Sequence, residues 1–600
     1  MDRRRFLYTT AAAASALTAG PALAQADNDS HARLDELFKA LFQEDLRLSP
    51  ESATQLGLDK GPNADLRGKL RDESVTGRAA VKASTAAQLA RLKAFPRESL
   101  SPADRINYDV VVYTRESARR VQAFDFGGAA FGPSPYVVSQ LTGVYQSVPD
   151  FLDTKHKITS TEDADAYLSR MAAFAVQLDD QTAQMRHDAG LGVIPPDFIL
   201  TTTLAQMNDF AATPAAASTL VSSLVRRVQA KGIAGSWQAP AAKLYEGEVI
   251  PALRRQIALL EDLRPRAVHE AGVARLPDGE AYYAISLKAA TTTDLTPAAV
   301  HQLGLEQVAL LTARLDEALK AQGLTQGAVW ERLRGMFADP RFLYPNTDAG
   351  KAKLIADLNL KVAAVQAKLP AWFGTLPKSK VQIRRVPPAI EAGASSNYQA
   401  GALDGSRAGA YYIVLRDTAE DPSFLLPTLT FHESIPGHHL QGSLQREGTL
   451  PLLRKVIWFD AYGEGWALYA EQLAGEMGMY DDDPWGHVGY LHDALLRAAR
   501  LVMDSGLHSQ GWSREQAVRY YVENQGDPES AAVSEVERYC AGPGQACSYM
   551  VGKLEWLRLR QLAKDRLGPR FDIRAFHDAA LLPGPTPLKV LDRVIRAYAA

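Results

Sequence analysis

The chain is 600 residues long, with 46% hydrophobic and 22% charged residues, which is typical of a large globular protein. Its 66 Lys and Arg residues nearly balance its 69 Asp and Glu residues, and a formal charge of −3 argues against a nucleic-acid-binding protein. Two cysteines exclude a disulfide-rich scaffold and a metal cluster built from thiolates. A soluble enzyme or a large binding protein remains.

The N-terminus has the features of an export signal, which we assign to residues 1–24. Arg3–Leu7 fits the twin-arginine pattern, and Ala22–Ala24 supplies small residues for cleavage. An ordinary secretion signal that is rich in arginine is the alternative. With either signal the protein is exported, and we expect it in the periplasm, where Cys540 and Cys547 either form a disulfide or stay free. No later apolar run is long enough to span a membrane.

Apolar residues at helical spacing predict amphipathic helices through most of the chain. The clearest of these patterns lie at residues 34–42, 163–190, 215–231, 296–322, 350–368 and 553–567. Strand signals are few, at Val381–Ile383 and Tyr411–Leu415, and the Pro- and Gly-rich stretches 192–196 and 386–409 predict loops. The sequence therefore predicts a mainly α-helical protein with a small β-sheet.

We expect this helical protein to have two lobes with a central cleft. Residues 25–280 would form an N-terminal helical half that covers the cleft. Residues 281–600 would form a C-terminal half that carries the motifs described next, with the small sheet near the metal site.

Three of the 12 histidines of the chain fall within Phe431–Leu440. The first of them, His432, is followed by Glu433. A zinc hydrolase uses these residue types, because neutral imidazoles bind the ion and an unliganded carboxylate takes a proton from water. The segment therefore predicts a metal site with Glu433 as the base.

The spacing of the histidines departs from the common pattern, in which the second histidine lies four residues after the first. Pro436 occupies that position, and in an unbroken helix neither His438 nor His439 could share an ion with His432. Pro436 and Gly437 favour a break in the helix. We expect the break to bring His438 towards His432 and to leave His439 beside the site, although the two histidines could exchange roles.

A third ligand is predicted from the segment 461–471, which has two glutamates on one helical face, Glu464 and Glu471. Glu464 follows His438 by 26 residues, a reasonable distance for a return through a second helix. Glu471 is better placed to orient a ligand through a hydrogen bond. The alternative is a solvent-facing set of His and Glu residues, but apolar neighbours favour a buried one. The sequence thus predicts one Zn²⁺ per chain.

The chain resembles the bacterial family known as domain of unknown function 885 over nearly its full mature length. The segments that carry this resemblance lie at 296–308, 403–413, 432–441, 463–471, 497–508 and 543–554. The family in turn resembles gluzincin metallopeptidases of the neurolysin and angiotensin-converting-enzyme type. That resemblance implies a mostly helical protein with a deep central cleft, although two extra residues inside the His-Glu motif depart from the gluzincin pattern.

Two tyrosines are candidate substrate-binding groups. Tyr411 belongs to the run 411–415, which is either the edge strand that pairs with an extended peptide or a structural sheet edge. Tyr549 either donates a hydrogen bond to the developing oxyanion or lies in the core.

Two basic residues complete the set. Arg538 either binds a substrate carboxylate or forms an ion pair with Glu535 or Glu537. His508 follows Asp504 by four residues on a predicted helix, and the two could pair with each other beside the site. We expect them to support the site or the fold without binding the metal.

Together these residues predict a zinc-dependent hydrolase of peptide-like amide bonds in the periplasm, with Glu433 as the general base. Its substrate would be a short or unfolded peptide. The alternatives are a metal-containing binding protein or inactive relative, and a zinc-dependent esterase or non-peptide amidase. The sequence has no serine-hydrolase elbow.

Overall fold

The computed structural model describes residues 29–128, 132–388, 391, 395–405 and 407–600. The predicted export signal at residues 1–24 lies outside this part of the chain. Within the described residues the protein is mainly α-helical with one small sheet, which confirms the predicted fold class. None of the described helices combines the length and the apolar character that crossing a membrane requires.

The first part of the chain is helical almost throughout. Its α-helices are α1 (29–48), α2 (Pro50–Leu56), α3 (Val75–Lys93), α4 (Pro102–Val121), α5 (Val144–Thr154), α6 (Thr161–Gly190), α7 (Asp197–Ala212), α8 (Thr219–Ala230), α9 (Gln238–Leu244) and α10 (Ile250–Leu263). A π-helical segment, Tyr245–Val249, joins α9 to α10. The helices predicted at 34–42, 163–190 and 215–231 correspond to α1, α6 and α8.

The rest of the chain continues in the same way. Its α-helices are α11 (Gly279–Thr291), α12 (Pro297–Ala321), α13 (Val329–Phe337), α14 (Asp348–Lys368), α15 (Leu426–Glu433), α16 (His438–Glu447), α17 (Leu452–Val456), α18 (Asp460–Glu476), α19 (Pro484–Ser509), α20 (Arg514–Gln525), α21 (Glu529–Ala541), α22 (Ser548–Leu567), α23 (Ile573–Leu581) and α24 (Leu588–Tyr598). The predicted N-cap Thr296 accepts a hydrogen bond from the N–H of Ala299 at 3.2 Å, which satisfies a free donor at the start of α12.

The sheet has three short strands, β1 (Gln382–Arg385), β2 (Asn397–Gln399) and β3 (Ala410–Ile413), in the order β1-β3-β2. β3 pairs with β1 in parallel and with β2 in antiparallel orientation. The prediction that the run at 411–415 forms an edge strand is therefore wrong, because both sides of β3 are occupied. Tyr411 is fully buried in the central strand, where a β-branched and aromatic run packs best.

β2 lies inside the stretch 386–409, for which the sequence predicts only loop. Its residues, Asn397–Gln399, are polar and few, so no hydrophobic alternation marks them as a strand. These residues form a strand because they pair with β3, where Tyr398 lies opposite Tyr411. The outer side of β2 is thus one edge of the sheet.

The apolar side chains form two large cores. One core joins α1–α4 to most of the helices after residue 271, so side chains such as Phe38 and Val110 pack together with those of the C-terminal motifs. The other core lies within residues 138–263. The N-terminal part therefore contributes to both cores, and the division at residue 280 stays a prediction.

α18 and α22 cross in close contact through two glycines. A Cβ on Gly465 would lie 2.5 Å from the Cα of Gly552, and a Cβ on Gly552 would lie 2.0 Å from the carbonyl oxygen of Ala461. Only glycine permits backbones to approach this closely. Glu464 is the neighbour of Gly465, and Tyr549 lies about one turn before Gly552, so this contact positions two candidate site residues.

Candidate metal centre

The histidine motif is divided between two helices. α15 ends at Glu433 and α16 begins at His438, with a tight turn between them. A Cβ on Gly437 would lie 1.9 Å from the carbonyl oxygen of His432, so the turn requires glycine at this position. The preceding residue, Pro436, has no N–H to continue α15. The turn brings the imidazole rings of His432 and His438 to 4.8 Å between centroids.

Three side chains converge at this turn: His432, His438 and Glu464. The Nε2 atom of His432 lies 3.5 Å from Oε2 of Glu464, and the Nε2 atom of His438 lies 3.3 Å from the same oxygen. All three potential ligand atoms lie within 4.8 Å of one another. The predicted ligand set is therefore brought together in the structure.

The orientation of His432 is held by a second carboxylate. Nδ1 of His432 lies 2.7 Å from Oε1 of Glu471, and the hydroxyl of Thr428 donates to Oε2 of the same carboxylate at 2.6 Å. Glu471 is fully buried. A carboxylate on Nδ1 leaves Nε2 directed at Glu464, which is the arrangement expected for a metal-binding imidazole and its supporting group.

Glu433 is oriented by the backbone of β2. Its Oε2 atom accepts a hydrogen bond from the N–H of Tyr398 at 2.7 Å. Because β2 is an edge strand, this N–H is directed away from the sheet and towards the site. The sequence gives no signal for this contact, since β2 itself was missed.

The two glutamates of the site have opposite electrostatic environments. Burial raises the pKa of Glu433. Burial also disfavours the charged form of Glu464, but the facing imidazoles of His438 and His432 outweigh it and lower the pKa of that carboxyl. Glu464 thus remains an anionic ligand, whereas Glu433 has the raised pKa that favours proton transfer.

His439 and Tyr549 have different contacts around the triad. Nε2 of His439 lies 3.1 Å from the carbonyl oxygen of Ser379, and its ring meets that of Tyr398 edge-on. Of the two alternatives, the structure therefore directs His438 and not His439 at His432. The ring of Tyr549 is stacked at 6.4 Å from the ring of His432, in a position beside the centre.

Arg538 forms an ion pair with Glu535, which is one of the two roles that the sequence allowed for this arginine. Its guanidinium lies 3.4 Å from Glu535 and donates a hydrogen bond to Gln545 at 2.5 Å. The arginine is half-buried, and its donors are used within the protein.

His508 and Asp504, which could have paired with each other, form their hydrogen bonds with other groups. Nε2 of His508 lies 3.0 Å from the carbonyl oxygen of Tyr539, and its Nδ1 lies 3.2 Å from the N–H of Val273. Asp504 instead accepts a hydrogen bond from Tyr283 at 2.6 Å. Both residues are fully buried, and for His508 the partners are backbone groups of other segments.

The two cysteines are buried free thiols, the second of the two alternatives for them. Cys540 donates to the carbonyl oxygen of Val536 at 3.3 Å, and Cys547 donates to Asp504 at 3.6 Å. Burial raises the pKa of Cys547, which keeps this thiol protonated and unreactive.

Sequence reasoning missed a charged row on α19 formed by Asp493, Arg497 and Arg500. The guanidinium groups of Arg497 and Arg500 lie 5.2 Å and 4.8 Å from the ring centre of Tyr549. Arg497 also pairs with Asp493 at 3.2 Å. Their spacing of four and three residues places them on one face of a buried helix, which is the signal that could have identified them.

The geometry of the triad fits a zinc ion. Ligand atoms 2.0–2.1 Å from a tetrahedral zinc lie about 3.3 Å from each other. The two nitrogen–oxygen separations in the triad are 3.5 Å and 3.3 Å. Two imidazoles and one carboxylate without a thiolate suit a catalytic zinc, which keeps a position open for water or substrate.

A cavity of about 320 Å³ lies between α4 and the start of α18. Trp458 lines this cavity, and its ring lies 5.8 Å from the ring of His438. Asp460 also lines it and accepts a hydrogen bond from Nε1 of Trp458 at 2.8 Å. None of the three triad residues lines this cavity, so the predicted central cleft at the metal site stays a prediction.

Solved structures with the same fold include proteins from two bacteria. A putative lipoprotein from Colwellia psychrerythraea superposes with a TM-score of 0.92 at 32% identity, covering 95% of this chain and 99% of that one. A putative lipoprotein of unknown function from Shewanella oneidensis has a TM-score of 0.70 at 19% identity, covering 94% and 99%, and shows the fold alone. A comparison with curated proteins finds no match.

The family model for "Bacterial protein of unknown function (DUF885)" matches residues 50–595 of the chain. This range includes every helix of the triad as well as most of both cores. The chain therefore belongs to the DUF885 family of bacterial proteins.

Proposed function

We propose that this protein is an exported zinc-dependent hydrolase of peptide amide bonds. The observation that carries the proposal is the convergence of His432, His438 and Glu464 beside a carboxylate, Glu433, that is outside the ligand set. A structural zinc site is normally closed by a fourth protein ligand and has no use for a neighbouring base.

The chemistry follows from the positions of these side chains. A zinc ion held by the triad would polarise the amide carbonyl and make water a stronger acid. Glu433 accepts the proton of the attacking water and passes it to the leaving amine. The N–H of Tyr398 holds the carboxylate of Glu433 in place for both transfers.

Tyr549 is the candidate donor to the developing oxyanion. Its ring is stacked beside His432, and the guanidinium groups of Arg497 and Arg500 lie against its ring. Tyr549 therefore suits a role in stabilising the transition state.

Access to the triad limits the substrate. His432 is 3% exposed and His438 is 9% exposed, so only a narrow segment of a substrate can contact them. A short or unfolded peptide meets this requirement, whereas a folded protein does not.

Two further features support the proposal. The two neighbouring structures are described as putative lipoproteins, which together with the twin-arginine-like N-terminus supports export to the periplasm. The combination of a His-Glu pair, a following glutamate ligand and a helical fold is analogous to gluzincin peptidases.

The first test is metal analysis followed by digestion of a peptide library, read by mass spectrometry. We expect one zinc per chain and cleavage of short peptides. Full occupancy by iron or manganese would contradict the zinc assignment. Zinc-loaded protein that cleaves only esters would make it an esterase, and one that cleaves none of the peptides, esters or amides would be a binding protein.

The second test replaces the base. Glu433→Gln is nearly isosteric but cannot accept a proton, so turnover should fall on the order of 10²–10⁴-fold while zinc content and thermal stability are kept. The matched control is Glu476→Gln on α18, since Glu476 pairs with Arg560 at 2.8 Å away from the triad. Wild-type turnover in Glu433→Gln would exclude Glu433 as the base.

A further inference from the structure

The cavity of about 320 Å³ between α4 and the start of α18 has walls from segments that are far apart in the sequence. Its apolar side chains include Tyr113, Ala118 and Val121 from α4, Ala289 from α11, and Trp458 and Phe459 from the residues before α18. The rings of Tyr113 and Phe459 meet edge-on with centres 5.9 Å apart, so two of these walls pack against each other. We call this space the apolar cavity.

Three of the polar side chains around the apolar cavity form hydrogen bonds within the protein. The hydroxyl of Thr114 donates to a carbonyl oxygen of its own helix at 2.9 Å. Asp460 accepts the indole N–H of Trp458 at 2.8 Å, and the side-chain oxygen of Gln545 accepts a hydrogen bond from Arg538 at 2.5 Å. A molecule in the cavity therefore meets mainly apolar surface, and burial of its own apolar surface would favour binding.

Trp458 is shared by the apolar cavity and the metal centre. Its ring lines the cavity and lies 5.8 Å from the ring of His438. A Cβ on Gly463 would lie 2.0 Å from Cη2 of Trp458, so the indole packs on the first turn of α18, beside the residue that precedes Glu464. Trp458 thus connects the cavity to two members of the triad.

Asp460 gives a second connection between the cavity and the triad. It lines the cavity and is the first residue of α18, four residues before Glu464. Residues four apart lie on the same face of a helix, one turn from each other. The wall of the apolar cavity and the carboxylate ligand are therefore neighbours on α18.

These connections place the apolar cavity within reach of a peptide at the triad. An extended chain advances about 3.3 Å per residue. A peptide whose carbonyl group lies at the triad can therefore bring a side chain to the ring of Trp458 within about two residues. The side chain that enters the cavity would belong to a residue close to the cleaved bond.

The volume of the cavity determines which side chains fit it. A cavity of about 150 Å³ is large enough to bind benzene. The 320 Å³ of the apolar cavity therefore accommodates the side chain of phenylalanine or tryptophan, whereas the methyl group of alanine would leave most of the space unfilled. Full burial of a Phe side chain favours binding strongly enough to change a rate at least about tenfold.

The exposure of Trp458 distinguishes the apolar cavity from a packing defect. Protein interiors contain few voids larger than a water molecule, and those voids are enclosed by buried side chains. Trp458 lines this cavity yet remains 45% exposed, although tryptophan is usually well buried. An exposed tryptophan beside a cavity is typical of a surface that contacts a ligand.

We propose that the apolar cavity binds a large apolar or aromatic side chain of the substrate, which packs against Trp458 within about two residues of the cleaved bond. This inference rests on the proposed function and names the class of peptide that the site selects. Ala118 and Ala289 are small, and their size leaves the space that the substrate side chain occupies.

The test uses pools of hexapeptides in which one position holds either Phe or Ala and the other positions are random. The fixed position is moved along the peptide from one pair of pools to the next. We expect zinc-loaded protein to consume one Phe pool at least about tenfold faster than its Ala counterpart. Mass spectrometry should place the cut within two residues of the Phe. Equal consumption at every position, or cuts at more distant bonds, would overturn the proposal.

Variants assign the preference to the cavity. Ala118→Leu and Ala289→Leu fill it from two different helices, and each should lower the ratio of Phe to Ala consumption towards one. Val121→Ala enlarges the cavity without adding atoms and should shift the preference from Phe towards Trp. Ala103→Leu is the control, because Ala103 is an exposed residue at the start of α4 outside the cavity, and it should keep the ratio. Unchanged preferences in all three cavity variants would refute the assignment.

Failure of the hydrolase proposal gives a different result. If no pool is consumed, equilibrium dialysis of the same Phe and Ala pools against the wild-type protein measures binding without any reaction. Stronger retention of a Phe pool that is lost in Ala118→Leu and kept in Ala103→Leu would support the apolar cavity and refute only the hydrolase. Equal retention of the Phe and Ala pools would refute the cavity as well.

Discussion

The two imidazoles of the metal centre are held in different ways. His432 lies at the end of α15, and its Nδ1 is fixed by Glu471, which Thr428 fixes in turn. His438 lies at the start of α16, and its Nδ1 is buried without a hydrogen-bonding partner. The ring of Trp458 lies 5.8 Å from the ring of His438.

The two imidazoles are therefore oriented by different kinds of contact. The orientation of His432 is determined by the hydrogen bond to Glu471, which Thr428 holds in turn. The orientation of His438 is determined by the turn before α16 and by what its Nε2 contacts. The predictions that follow test this division, on the assumption that zinc is the ion.

The largest effect is expected for His432→Ala, which removes a ligand and leaves Glu471 without its imidazole. Zinc content should fall from one per chain to near zero, and activity should be lost with it. The matched variant is His439→Ala, because His439 is an adjacent histidine of the motif that contacts Ser379 instead. It should keep its zinc, measured by elemental analysis. Zinc loss in His439→Ala alone would reverse the assignment of ligands.

The next effect is expected for Gly437→Ala, which changes the turn that places His438 beside His432. The added Cβ would meet the carbonyl oxygen of His432, so we expect about 1–3 kcal/mol of destabilisation and weaker zinc binding. Gly442→Ala is the control on the same helix, since its Cβ would have ordinary contact with Tyr398 at 3.6 Å. Chemical denaturation measures both, and equal stabilities would show that the turn can relax.

A smaller effect is expected for Glu471→Gln, which acts only on the His432 side. Glutamine can still accept the hydrogen bond from His432 but lacks the charge that makes the imidazole a better ligand. We expect zinc affinity to fall about 10- to 100-fold, measured by competition with a chelator. Glu476→Gln, on the same helix, should bind zinc like the wild type. A loss in both variants would indicate a general effect on α18.

The smallest effect is expected from removing the ion with a chelator. His432 should keep its orientation, because Glu471 still holds Nδ1, whereas His438 should become more mobile. Nuclear magnetic resonance of labelled histidines would show this as broadening of one imidazole and not the other. Equal broadening would mean that Glu471 does not hold His432 without zinc.

The fold and the ligand set were largely predictable because both depend on local patterns. Helical periodicity located α6, α12 and α14 within a few residues. The pairing of Glu464 with the histidines followed from the need for a third ligand on a later helix. The apolar neighbours of these His and Glu residues indicated that the residues are buried in a site and not exposed at the surface.

The features that could not be predicted depend on the approach of distant segments. The choice between His438 and His439 is made by the backbone of Gly437, with φ −76° and ψ −131°, which no residue pattern specifies. Asn397–Gln399 form a strand only because β3 lies beside them. The sequence therefore did not identify Tyr398 as a candidate site residue. His508 found backbone partners on other helices, which took precedence over its neighbour on α19.

The contact between Gly465 and Gly552 fixes the distance between α18 and α22. The geometry of the candidate site depends on this distance. Glu464 and Tyr549 are carried on these helices, so the two glycines determine how close the two side chains can lie. A larger residue at either glycine would separate Glu464 from Tyr549 while leaving both side chains present. In relatives of this chain, a change at either glycine would therefore alter the candidate site without replacing any of its side chains.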